Sequence, residues 1–116
     1  MGDDGEALAL AHLKRHGLRL VRSNYRVARG PRARGGEVDL IVRDRDGTLV
    51  FVEVRRRKGA GFGGAAGSVT HGKQRSIILA AQHFLRAFAS PPPCRFDVIA
   101  IEGERVEWLK AAFDAC

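Results

Sequence analysis

Cysteine is close to absent from this chain. Cys94 stands beside a proline run and Cys116 at the last position, and neither belongs to a C-x-x-C or other metal-binding spacing. No structural disulfide and no cysteine-held metal is expected. Long hydrophobic runs are lacking too: no apolar stretch approaches the ~20 residues of a membrane span. The N-terminus opens Met1-Gly2-Asp3-Asp4 and carries no basic-then-hydrophobic leader, so a cytoplasmic protein with no membrane partner is expected. Internal repeats and linker-like tracts are missing as well, and 116 residues make about one ordinary domain, here read as 1–116.

Acidic residues are in deficit. The balance of 13 Asp+Glu against 20 Lys+Arg gives a formal charge of +7. Most of the cations are arginine, whose planar fork of donors matches phosphate oxygens. A polyanionic partner follows, with nucleic acid ahead of a membrane surface. Apolar residues at 45% are enough for a folded core.

Asp3 or Asp4 can cap a helix whose apolar positions Ala7, Leu10, Ala11 and Leu13 recur at helical spacing, and Gly17 supplies its stop. Leu18 to Tyr25 reads as a half-buried strand, and Arg26 to Gly36 as a basic loop. Glu37 to Arg43 and Thr48 to Arg55 are strand-like runs around a turn at Asp44-Arg45-Asp46-Gly47. The Gly- and Ala-dominated stretch Gly59 to Gly67 is expected to be a flexible loop. Ile77, Ile78, Ala81, Leu85 and Phe88 line one face of a second helix over Thr70 to Ala89, which ends at Ser90 and the prolines 91–93. Phe96 to Ile101 and Arg105 to Trp108 are two further strands, with a helical turn expected at the C-terminus. The order is α-β-β-β-α-β-β-α.

The hairpin is chemically odd. If its turn is the three residues Arg45-Asp46-Gly47, with the glycine left-handed, Asp44 pairs with Thr48 and Asp39 falls opposite Glu53. Opposed side chains in an antiparallel pair have Cβ atoms ~4.5 to 5.5 Å apart, and like charges there repel. A hard divalent cation offsets that repulsion, because Mg²⁺ takes one or two carboxylate oxygens and keeps several waters. A two-residue turn, Asp46-Gly47, shifts the register by one and puts the carboxylates on opposite faces. Under the first register Arg55 shares the face of Glu53. The competing reading is an exposed strand face of mixed charge.

Gln74 falls on the apolar face of the second helix and Glu6 on the inward face of the first, which makes both candidates for the same site. Each also has an ordinary reading, a helix-end residue at the core margin for Gln74 and a first-turn carboxylate favoured by the helix dipole for Glu6. His12 and His16 stand four apart, a spacing that binds zinc, but no third ligand is apparent nearby and a surface pair is the simpler reading.

Gly5-Glu6 with Ala11 and Gly17, Gly36-Glu37-Val38-Asp39-Leu40-Ile41, Phe51-Val52-Glu53-Val54-Arg55, Val69-Thr70 with Lys73-Gln74-Arg75, and Phe96-Asp97-Val98 together resemble the YraN family of small bacterial proteins. That family is similar to the PD-(D/E)XK nuclease superfamily and, within it, to archaeal Holliday junction resolvases. The resemblance implies a restriction-endonuclease-like α/β fold, an αβββαβ core with a mixed sheet flanked by helices. It implies Mg²⁺ or Mn²⁺ held by Asp39, Glu53 and the carbonyl of Val54, with Glu6 and Gln74 completing the site. The lysine usual in the E-x-K element is Arg55 here. Arginine keeps its proton and cannot serve as a base, though it can stabilise a charged transition state.

The resulting expectation is a metal-dependent endonuclease acting on structured or branched DNA in repair or recombination, DNA being favoured over RNA. Arg26, Arg29, Arg32, Arg34, Arg56, Arg57, Lys58, Lys73 and Arg75 would grip backbone phosphates, which sets position without reading sequence. The resemblance further implies a homodimer, since cutting both strands of a symmetric junction takes two sites. The alternative is a nucleic-acid-binding module that keeps the nuclease fold without cleaving, which the arginine at position 55 favours.

Overall fold

The computed structural model describes residues 4–28, 30–31, 35–56 and 69–114. The expectations for Arg29, Arg32, Arg34, Arg57 and Lys58, for the 59–67 stretch and for Cys116 lie outside the described residues. The chain runs α1 (Asp4–Arg15), β1 (Arg19–Val27), β2 (Gly36–Arg43), β3 (Leu49–Arg56), α2 (His71–Leu85), β4 (Cys94–Glu102) and β5 (Arg105–Phe113). The strands form one five-stranded sheet in chain order. All neighbours are antiparallel except β3 and β4, which are parallel. A parallel pair needs a crossover, and α2 provides it. This is the mixed α/β sheet flanked by helices that the αβββαβ pattern describes.

Strand residues alternate between faces, so β3 sends Leu49 and Phe51 to the side of α2 and Val50 and Val52 to the side of α1. On the α2 side Ile77, Ala80 and Ala81 pack on Ile41, Phe51 and Phe96. On the α1 side Ala9 and Leu13 pack on Leu40, Val42, Val50 and Ile99. Gly17, at φ 91°, ends α1 as expected. Leu18 N donates to Leu13 O at 3.1 Å and Gly17 N to Lys14 O at 3.0 Å, the paired bonds of a left-handed helix stop.

Two expectations at the C-terminal end are corrected. β5 continues as a strand to Phe113 where a helical turn was expected. Leu109, Ala112 and Phe113 join the core under α2, and burial there overrides a local helical preference. Ala111 takes a left-handed φ of 50°, and its N–H donates to the fully buried Asp97 at 2.9 Å, which fixes the bulge. Cys94 is disulfide-bonded, against the expectation of no disulfide. The physical reason is the register: Phe96 pairs with Phe113, so β5 runs back as far as the start of β4, where Cys94 stands.

Gly36 is where β2 meets α2. A Cβ there would lie 2.6 Å from Ser76 O and 2.8 Å from Ala80 N, both backbone atoms that cannot swing aside. Gly36→Ala is therefore expected to push β2 off the helix and cost about 1–3 kcal/mol, read as a lowered urea midpoint.

Candidate metal centre

The turn between β2 and β3 is the three-residue form. Gly47 is left-handed at φ 93°. Gly47 N donates to Asp44 O at 3.0 Å, and Asp44 N to Thr48 O at 2.9 Å. The ladder then runs from Arg43↔Leu49 to Leu40↔Val52. One further step sets Asp39 opposite Glu53.

At that step the backbone ladder gives way to a side chain: Val54 N donates to Asp39 Oδ2 at 2.8 Å. The neighbouring strand bends at the same level. Ser23↔Leu40 and Tyr25↔Val38 leave Asn24 opposite Asp39, and Asn24 is left-handed at φ 51°. Val38 and Ile41 lie in one core cluster while Leu40 and Val42 lie in the other, so the alternation of β2 breaks at Asp39. An irregularity of this kind re-aims a side chain. Here it directs the Asp39 carboxylate at β3.

Glu53 occupies the α2 side of β3 and is only 2% exposed. Its Oε1 is buried and, among the described residues, has no hydrogen-bond partner. Burial first, and the facing Asp39 charge second, push its pKa from 4.5 up to about 8, with Lys73 and Arg55 acting in the opposite direction. Both cations approach Glu53 Oε2: Arg55 Nη1 at 3.5 Å and Lys73 Nζ at 3.8 Å. Lys73 Nζ also lies 3.7 Å from Glu37 Oε1, and Glu37 N donates to Ser76 Oγ at 3.1 Å.

The donor set suits a hard divalent ion. It offers two opposed carboxylates, one with an orphaned buried oxygen, and no sulfur. Among the described residues there is no group of three His, Cys, Asp or Glu side chains that could hold a metal. Two carboxylates are enough for an ion that keeps most of its water.

The other expected residues are placed as follows. Gln74 is half-buried, and its Nε2 donates to Val69 O at 3.1 Å, which fastens the start of α2. Glu6 is half-buried in the first turn of α1, beside Gly5, where any side chain would meet Arg56 Cγ at 3.1 Å and Val54 Cγ1 at 3.7 Å. The start of α1 thus abuts the end of β3. Arg56 lies on that α1 side, across the sheet from Glu53. Arg26 is 75% exposed and 3.6 Å from Glu37, and Arg75 is exposed on α2 beside a cleft of about 360 Å³ bordered by Gly35, Gly72 and Ser76. His12 and His16 pack edge-on around Trp108, with ring centroids 5.6 and 5.3 Å from it.

Sequence reasoning assigned Lys73 to the phosphate-gripping surface and did not single out Glu37. The structure brings both to the carboxylate pair. The signal for Lys73 was present in Thr70, three residues before it: Thr70 caps α2 by accepting from Lys73 N at 3.1 Å, which sets Lys73 in the first turn.

The geometry defines an α/β protein with an opposed carboxylate pair flanked by cations. Residues 5–101 match the model of the uncharacterised protein family UPF0102, and the chain belongs to that family. A UPF0102 protein of Methylibium petroleiphilum is 66% identical over 99% of this chain and 94% of its own length. UPF0102 proteins of an Acidovorax species and of Cupriavidus taiwanensis are each 58% identical over 98% of this chain, and over 84% and 82% of their own lengths. Among the described residues no helix is long and apolar enough to cross a membrane.

Proposed function

We propose that this protein is a Mg²⁺- or Mn²⁺-dependent phosphodiesterase of the PD-(D/E)XK type, acting in the cytoplasm on structured or branched DNA, as a resolvase does in repair or recombination. The observation that carries this reading is buried Glu53, with its unpartnered Oε1, opposed to Asp39 across the hairpin. Asp39 and Glu53, with the Val54 carbonyl, would hold the ion. When bound, the ion supplies Lewis-acid polarisation of a phosphate oxygen and acidifies a water. Arg55, 39% exposed, would face the phosphate with a fork of donors and stabilise developing negative charge. Arg26, 3.6 Å from Glu37, and Arg75, exposed on α2, would contribute sequence-independent grip. A homodimer suits the cutting of two strands in a symmetric junction.

A second reading, a binding module on the same fold, is favoured by Arg55, which cannot exchange a proton with water as a lysine can. Cleavage of duplex, single-stranded and four-way-junction DNA with and without Mn²⁺ separates the two. Mn²⁺-dependent cleavage that disappears in Glu53→Ala supports the enzyme. Salt-sensitive binding without cleavage supports the module, and no binding at all sinks both.

A further inference from the structure

Cationic and aromatic groupings outside the carboxylate pair itself include the His12–His16–Trp108 cluster, the Tyr25–His83 contact, Arg95 between Asp44 and Asp97, and the Lys73 ammonium. Trp108 has its Nε1 committed to buried Asp97 and the Lys110 ammonium 4.5 Å from its ring centroid, so it is a strut. Tyr25 hydroxyl and His83 Nδ1, 2.6 Å apart, satisfy each other. Lys73 is different, because its ammonium stands between two carboxylates, 3.7 Å from Glu37 Oε1 and 3.8 Å from Glu53 Oε2.

We propose that Lys73, delivered by the first turn of α2, is the exchangeable cation of this centre: it counter-charges Glu53 in the ion-free protein and turns to the DNA phosphate when an ion takes that place. The inference rests on the phosphodiesterase reading and deepens it. Asp39 and Glu53 would hold a divalent ion, whose charge would weaken the attraction of Lys73 and Arg55 to the Glu53 oxygen they share. Arg55 is carried on β3, two residues from Glu53, and stays beside it. Lys73 comes from another element and has a second anchor, Glu37 Oε1 at 3.7 Å, which keeps it at the rim. Its side chain is 28% exposed, enough to meet a phosphate. A compact ammonium on a flexible stem suits a change of partner better than a planar guanidinium.

The test compares wild type, Lys73→Gln, Lys73→Arg and the remote control Lys14→Gln in two assays that need no cleavage. The first is Mn²⁺ titration by calorimetry without DNA. Lys73→Gln is expected to bind Mn²⁺ about fivefold more tightly, because a competing positive charge is gone, with Lys73→Arg and Lys14→Gln near wild type. The second is four-way-junction binding with and without Ca²⁺. Wild type should gain affinity with the ion, and Lys73→Gln should lose most of that gain while Lys73→Arg keeps it. Mn²⁺ affinity in Lys73→Gln equal to the Lys14→Gln control, or an undiminished Ca²⁺-dependent gain, overturns the proposal. Both shifts present, while wild type with Mn²⁺ cleaves none of the duplex, single-stranded or junction DNAs in a parallel cleavage assay, overturns the phosphodiesterase reading and leaves the role of Lys73 standing.

Discussion

Replacing Glu53 by glutamine is expected to make the ion-free protein more stable at alkaline pH and to flatten its pH dependence. An unfolded glutamate titrates near 4.5, whereas Glu53 in the fold titrates near 8. Between those values the folded chain holds a proton that the unfolded chain has released. The contribution of this group is therefore fully present below about pH 4.5 and is lost as pH rises through about 8. Each pKa unit is worth ~1.4 kcal/mol, and the value near 8 already includes the opposing pull of Lys73 and Arg55, so the loss across the window is on the order of 5 kcal/mol. Glutamine, neutral throughout, escapes it. Urea unfolding in EDTA at pH 5 and pH 9 should show wild type falling and Glu53→Gln nearly level. Added Mn²⁺ should then restore wild type at pH 9 and leave Glu53→Gln unmoved, as expected if the Asp39–Glu53 pair holds the ion. Parallel pH profiles for the two proteins would remove the case for an opposed, buried Glu53.

The carboxylate pair was legible in the sequence because a single glycine decides it. Gly47 at the left-handed position makes the loop three residues long, and counting from Asp44↔Thr48 reaches Asp39 and Glu53 without tertiary information. The helices were legible for a similar reason, since Thr70 and Gly17 mark their ends by local chemistry. What lay beyond reach depends on contacts between elements. Lys73 reads as a surface cation until α2 is seated on β3, and Glu37 as one more strand residue until Ser76 fixes its backbone. The C-terminal strand failed for the same cause: Leu109, Ala112 and Phe113 gain more from the core face of the sheet than from a solvated helical turn. Cys94 looked unpaired because spacing along the chain carries no record of β5 running antiparallel to β4.

Asp39→Asn is expected to abolish divalent-ion binding and any Mn²⁺-dependent cleavage while leaving the fold intact. The choice of asparagine follows from Val54, whose N–H donates to Asp39 Oδ2 at 2.8 Å. Alanine would leave that part-buried donor without its acceptor and confuse instability with lost chemistry, whereas the asparagine carbonyl still accepts it. Removing the charge also withdraws the second-largest cause of the raised Glu53 pKa, so Glu53 should ionise at lower pH and the ion-free variant should be at least as stable as wild type at pH 8. One carboxylate in place of two leaves too few charged oxygens to hold Mg²⁺ against its own hydration, and Mn²⁺ affinity should fall at least 100-fold. DNA affinity without ion should stay equal or rise, because a negative charge near the phosphate has gone. The informative combination is calorimetric Mn²⁺ binding, thermal unfolding and junction affinity on the same preparation. A stable, DNA-binding Asp39→Asn that titrates Mn²⁺ as wild type does would place the ion elsewhere and end the shared-carboxylate centre.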